Sequence, residues 1–416
     1  MSEIIGHTGN VAIDSQRLWA SIMDTARFGA TPKGGIRRLT LSEEDRAVRD
    51  WFRDACEAIG AGVEIDELGT MYATLPGTDP ALPPIAIGSH LDTQPTGGKF
   101  DGVIGVLGGL EVLRTLAETG TRTRHPVTLI NWTNEEGSRF APAMLCSGVF
   151  AGAFPADFAL SRTDRDGITF ADALDAIGYR GPLRAGAKTL AAHFELHIEQ
   201  GPILEAEEKT IGAVTGVQAM RWFEVTLTGN EGHAGATPMR LRQDALVAGA
   251  HAILAIERLA AEHAPDAVAT VGLLECRPNS RNVVPGEVFL TVDLRHPSDA
   301  VLEVMEQSLR HILASLPAGI GVTVDKVWDN PAVPFDARLL DAIRAGARAE
   351  GFTPRDIVSG AGHDSAYTAR VCPSAMIFVP CAGGLSHNEA ESATQHDVAA
   401  GTAVLLRAVL EADRLL

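Results

Sequence analysis

The sequence predicts an α/β protein, a mixed sheet covered by helices, with a second and smaller domain inserted into it. Three observations carry this expectation. Apolar runs such as Ile85-Ala86-Ile87 end in clusters of polar residues and are followed by helical spacing, the rhythm of an α/β sheet. Between residues 216 and 331 that rhythm gives way to the order βαββαβ, the ferredoxin-like unit. At 416 residues the chain also exceeds the roughly 250 to 300 at which a single core stops growing. The expected domains are 1–215 with 332–416, and 216–331 as the insertion.

Taken in order, Ser42 and Asp45 form a helix-start signal ahead of Val48, Trp51, Phe52, Ala55 and Ile59, and Gly60 stops the run. Val63 to Leu75 reads as a hairpin about Leu68-Gly69. A strand ends at His90, and a helix follows Asp101 as far as Leu116. Its early glycines, Gly102, Gly105, Gly108 and Gly109, match neither phosphate-loop nor dinucleotide spacing, so close packing is the expected reason for them. Val127 to Trp132 reads as a buried strand, and Phe194 to Gly201 as a strand alternating apolar and polar residues. In the insertion, strands are expected over Phe223 to Leu227, Ala267 to Leu274, Glu287 to Arg295 and Gly321 to Trp328, with helices over Asp244 to His263 and Asp299 to Leu316. The α/β rhythm resumes with a helix over Asp336 to Glu350, a strand over Ser374 to Val379 and a closing helix over Val398 to Leu416.

The strand ends carry the chemistry. His90 offers an imidazole nitrogen, Asp92 stands where a carboxylate could take the ring's other N–H, and Asp101 has two oxygens that could bridge two ions. Val127 to Trp132 runs into Glu135-Glu136, adjacent residues that point to opposite sides, so one could bind a metal while the other faces a substrate. His197 and Glu195 share the polar side of their strand, and His387 follows the strand ending at Val379. In an open α/β sheet such ends gather in one crevice. Three imidazoles and two carboxylates form a borderline N/O set suited to zinc, manganese, cobalt or nickel, with Asp101 as bridge and one glutamate left for proton transfer.

Composition narrows the partners. The formal charge of −18, with no cluster of Lys and Arg, argues against nucleic acid. Five cysteines in no CxxC pattern suit free thiols in a reducing compartment. Met1 to His7 lacks a basic region followed by an apolar core, and no apolar stretch approaches the ~18 residues of a membrane span. A cytoplasmic protein without membrane contact is expected.

The strings GSHLDTQPTGGKFDG, NEEGSRF, HIEQGP, GHAGATPM, NVVPG followed by DLR, SGAGHDS and GGLSHNE together resemble the M20 metallopeptidase-like amidohydrolases. Within that family they are similar to the hydantoinase/carbamoylase branch, which includes N-carbamoyl-L-amino acid hydrolase, bacterial-type β-ureidopropionase and allantoate amidohydrolase. The resemblance implies two divalent ions, zinc first among the candidates, held by His90, Asp101 and His197 and by Asp101, Glu136 and His387. It implies Glu135 as general base and Asp92 as the residue orienting His90. It also implies that His233, supplied by a partner subunit, stabilises the oxyanion, and that Asn282 and Arg295 hold the substrate. Arg suits two-pronged carboxylate recognition. Gln200, Arg221-Trp222 and the Gly360 to Gly362 loop are further pocket candidates, whereas His363-Asp364 reads equally well as a further dyad or as a helix start.

The expected enzyme hydrolyses the ureido C–N bond of a small N-carbamoyl amino acid as a homodimer, with the insertion as lid and dimerisation domain. The alternatives are an allantoate amidohydrolase, an aminoacylase or dipeptidase of the wider family, and a non-catalytic binding protein on the same fold.

Overall fold

The computed structural model describes residues 11–416. Met1 to His7, read above for a leader, lies outside them. Among the described residues the chain forms two compact units, one running up to Gly216 and resuming over Pro334–Leu416, the other spanning Val217–Val333.

The larger unit is built on a mixed sheet. Its strands lie in the order Gly62–Ile65, Met71–Leu75, Val127–Trp132, Ile85–His90, Ala192–Ile198, Ser374–Val379, Gly212–Val217 and Val333–Pro334, and Arg355–Ser359 also pairs with Gly212–Val217. The middle strands Val127–Trp132, Ile85–His90, Ala192–Ile198 and Ser374–Val379 are mutually parallel, and their outer neighbours run antiparallel to them. Ile85–His90 pairs with Val127–Trp132 along its whole length. Its register with Ala192–Ile198 stops at Ile87↔Phe194. The parallel strands follow opposite sides of that line, so the switch point of the sheet falls between His90 and His197.

One sheet face carries the helices Val103–Thr119 and Gln395–Leu415. The glycines of the first allow their close approach: a Cβ on Gly105 would collide with the Leu196 carbonyl and the Ser89 side chain. The other face is covered by Leu145–Phe150 and Asp364–Thr368, over a cluster that includes Tyr72, Ile130, Trp132 and Phe150. With both faces covered, all of Ala192–Ile198 is buried, so the polar side of that alternation faces protein rather than water. The strand is also shorter than expected, and Gln200 beyond it turns to φ 57°.

Helix starts follow local chemistry. Ser42, Asp336 and Thr394 cap Glu43–Glu57, Ala337–Ala349 and Gln395–Leu415 by accepting main-chain N–H bonds, and the Thr394 cap starts the last helix ahead of the expected Val398. The helices Ser15–Thr25, Ala156–Leu160 and Phe170–Ile177 were not anticipated.

The second unit places Leu274–Arg277, Glu287–His296, Ala219–Thr228 and Gly321–Asn330 side by side, all antiparallel, with Val268–Thr270 also on Glu287–His296. The one strand expected over Ala267 to Leu274 is therefore two short ones. Helices Ala245–Glu262 and Asp299–Ala314 cover one face, around Phe223, Leu227, Leu290, Ile256 and Leu309. With that split strand counted once and the two-residue strands Gly232–His233 and Val283–Val284 left aside, the element order fits the βαββαβ read from the sequence. All five cysteines are unpaired. Among the described residues no helix is long and apolar enough to cross a membrane.

Candidate active site and metal centre

His90 and His197 end neighbouring parallel strands, and Gly102 starts the Val103–Thr119 helix between them. Gly102 has φ 67°, and a Cβ there would strike the His90 ring, so a glycine is required for the turn to pass so close. Its N–H points at His197 Nε2, 3.1 Å away. The turn delivers Asp101, whose Oδ1 lies 3.1 Å from His197 Nε2 and 3.8 Å from His90 Nε2, while its Oδ2 lies 3.4 Å from His387 Nε2. Glu136 Oε2 is 3.4 Å from the same His387 nitrogen. The donor atoms of His90, Asp101 and His197 lie within 4.8 Å of one another, as do those of Asp101, Glu136 and His387. Asp101 is common to both groups.

The hydrogen bonds fix which atoms face inward. His90 Nδ1 lies 2.9 Å from the Asp92 carbonyl, and His197 Nδ1 lies 2.9 Å from the Ile198 carbonyl. Each Nδ1 therefore carries its proton outward, and each Nε2 lone pair points at carboxylate oxygens. Acceptors that face acceptors in a buried site repel unless a proton or a cation lies among them. This arrangement, with its borderline N/O donors, fits a divalent cation.

Electrostatics agree. Burial lowers His90 to about 4, leaving it the neutral imidazole a metal needs. Burial works against ionising Asp101, yet the nearby rings of His197, His90 and His387 hold it well below the usual carboxylate range. Burial also opposes protonation of His197, but Asp101 outweighs it and lifts the ring to about 9. Glu135 and Glu136 are both raised well above normal, first by burial and then by neighbouring carboxylates, Asp364 foremost for Glu135 and Asp101 for Glu136. A bound cation would reverse those shifts.

The two glutamates are held differently. Glu136 accepts from Gln94 through its main-chain N–H at 3.1 Å and its side-chain amide at 2.6 Å. Glu135 Oε2 lies 3.5 Å from His90 Nε2, and its carbonyl accepts from Met144 N at 2.5 Å. Asp92 serves both: its carboxylate accepts the main-chain N–H groups of Glu135 and Glu136, each at 3.3 Å. The carboxylate lies 3.8 Å from His90 Nδ1, so the ring is held by the Asp92 main chain and not by the side chain the sequence suggested.

Other polar residues at this centre, Ser89, Ser365, Ser359 and Ser386, had drawn no attention as pocket groups, and Glu195 had been read only as part of a strand alternation. Glu195 accepts from Ser89 Oγ at 2.9 Å and from Ser365 N at 3.0 Å. It forms a third close group with His197 and His363, but its oxygens hold those donors, and His363 Nε2 sits 2.9 Å from Ser359 Oγ. Ser386 Oγ and Gln200 Nε2 both reach Asp101 Oδ2, at 2.6 and 2.8 Å. Only Gln200 among these was a pocket candidate.

His233, Asn282 and Arg295 belong to the second unit. His233 is exposed on the short strand Gly232–His233, which pairs with Val283–Val284, and the Asn282 carbonyl accepts from Ala234 N at 2.9 Å. Its Nδ1 accepts from Gly235 N at 3.0 Å and Ala236 N at 3.2 Å, so the ring presents Nε2–H outward as a donor. Arg295 is fixed by its strand neighbour Asp293, with Nη2 2.7 Å from Oδ2. Arg221 is engaged by Glu303, Glu306 and Asp329, and Trp222 lies against Trp328 with ring centroids 5.9 Å apart.

Relatives extend over the whole arrangement. The chain is 48% identical over 407 residues, 97% of both chains, to an N-carbamoyl-L-amino-acid amidohydrolase of Rhizobium meliloti. It is 34% identical over 385 residues, 91% of this chain and 93% of the other, to an allantoate amidohydrolase of Bacillus subtilis. The crystal structure of a hydantoinase/carbamoylase family amidase from Burkholderia multivorans matches with a TM-score of 0.94 at 50% identity, covering 97% of this chain and 98% of that one. The model of peptidase family M20/M25/M40 matches residues 86–411, a span that opens in the His90 strand and closes in the last helix, and the chain belongs to that family.

Proposed function

We propose that this hydrolase cleaves the ureido C–N bond of N-carbamoyl amino acids in the larger unit, at the two donor groups that share Asp101. The observation that carries the reading is Glu135, buried with Oε2 3.5 Å from His90 Nε2 and outside both donor groups, whereas Glu136 belongs to one of them. Two divalent cations at these groups, zinc foremost and otherwise manganese, cobalt or nickel, would polarise the carbonyl and acidify a water. Glu135 takes the proton from the attacking water and returns it to the leaving nitrogen. The amino acid departs, and the carbamic acid left behind falls apart to ammonia and carbon dioxide. The outward Nε2–H of His233 suits an oxyanion, and Arg295, with its plane set by Asp293, suits a substrate carboxylate.

The test is a panel of N-carbamoyl-L-amino acids, N-carbamoyl-β-alanine, allantoate, N-acetyl amino acids and dipeptides. Ammonia together with free amino acid from the carbamoyl compounds is expected. Turnover of dipeptides alone, without ammonia, would overturn the reading.

The inserted unit serves as lid and dimerisation domain in this proposal, with His233 of one chain completing the site of the other. Mixing His233→Ala with Glu135→Gln checks it. A mixed dimer then has one site with both lesions and one with neither, so activity should return to about half the wild-type value per dimer. Mixed dimers that stay inactive exclude the exchange.

A further inference from the structure

Asp101 belongs to both donor groups, so the direction of its carboxylate decides whether two centres form or one. We propose that Glu391 is a positioning residue that sets this direction by tying the Asp101 turn to the loop carrying His387. The proposal rests on reading the donor groups as cation sites.

Glu391 is 5% exposed and reaches the turn from 290 residues away in the chain. Its Oε1 accepts the main-chain N–H groups of Phe100 and Asp101, both at 3.0 Å. Its Oε2 lies 3.2 Å from Ser386 Oγ, and that hydroxyl lies 2.6 Å from Asp101 Oδ2. One carboxylate thus grips the Asp101 main chain directly and meets its side chain at the Ser386 hydroxyl, whose single proton the two carboxylates share. With Oδ2 turned toward Ser386, Gln200 and His387, Oδ1 is left facing His197 and His90. The fit leaves no slack, since a Cβ on Gly98 would overlap the Glu391 carboxylate. Capping does not explain Glu391, because Thr394 caps the helix that follows. Charged partners behind a ligand are what orient it and tune its affinity.

The experiment dialyses wild type, Glu391→Ala and Glu391→Gln against fixed free Mn²⁺ concentrations and measures bound metal per chain by elemental analysis, with thermal melting by circular dichroism as the control for folding. Folded Glu391→Ala should bind Mn²⁺ about 10- to 100-fold more weakly. Glu391→Gln, whose amide oxygen still accepts both N–H groups, should stay within a few-fold of wild type. Unchanged Mn²⁺ binding by folded Glu391→Ala overturns the proposal. Should that variant fail to fold, Glu391→Asp keeps the charge but shortens the reach to the Asp101 turn; weaker binding then supports the proposal and unchanged binding overturns it. A wild type that saturates with a single ion would instead refute the two-centre reading, and the same comparison on that one ion would judge Glu391 separately.

Discussion

Every residue of Ile85–His90 and Ala192–Ile198 in the larger unit is buried, whereas Glu287–His296 in the inserted unit alternates residue by residue between buried and half-exposed. Both sheets contain polar strand residues, but their situations differ. On the inserted sheet Glu224 and Thr228 stand on the side away from the helices and are exposed. In the larger sheet Ser89, His90, Glu195 and His197 have no water to turn to, so each must find a donor, an acceptor or an ion inside the protein. A polar residue in a strand covered on both faces therefore carries more information about function than one on a strand covered on a single face.

The comparison can be broken most visibly at Glu135. Glu135→Gln should lower turnover by about 10² to 10⁴-fold while metal content stays normal, since an amide cannot take the proton from water. Glu136→Gln should lower metal content instead. Equal metal loss in both would mean the pair is assigned the wrong way round.

A smaller effect sharpens the contrast between the sheets. Glu195→Ala leaves Ser89 Oγ and Ser365 N without their acceptor, and should cost about 2 to 3 kcal/mol in urea unfolding. Glu224→Ala on the inserted sheet should change stability by no more than about 0.5 kcal/mol. Similar losses from the two would show that burial on both faces is not what separates them.

Much of this was legible in the sequence where the signal is local. The Ser42 and Asp336 caps, the hairpin turning at Gly69 with φ 84°, and the parallel strands running into His90, Glu135 and His387 all follow from neighbours in the chain. The rest depends on residues meeting across long separations. Asp92 was singled out for the ring two residues before it, yet its carboxylate serves main-chain groups 43 and 44 residues on. Glu195 had the right neighbours, but alternation alone could not tell a buried polar face from a solvated one. Glu391, four residues beyond His387, carries no motif that links it to Asp101. The short helices between Glu136 and Ala192 were missed because they are too brief to display a period.

The register between Ile85–His90 and Ala192–Ile198 runs through only Ile85↔Ala192, Ala86↔His193 and Ile87↔Phe194. Beyond that point the strands are joined through side chains and the inserted turn: Ser89 to Glu195, Gly102 to His197, and His197 to Asp101. The centre of the sheet is thus sutured by the candidate metal ligands and their hydrogen-bond partners. On the proposed function, cohesion and catalysis draw on the same atoms here, so a substitution at these positions acts on both at once, and neither can be adjusted alone.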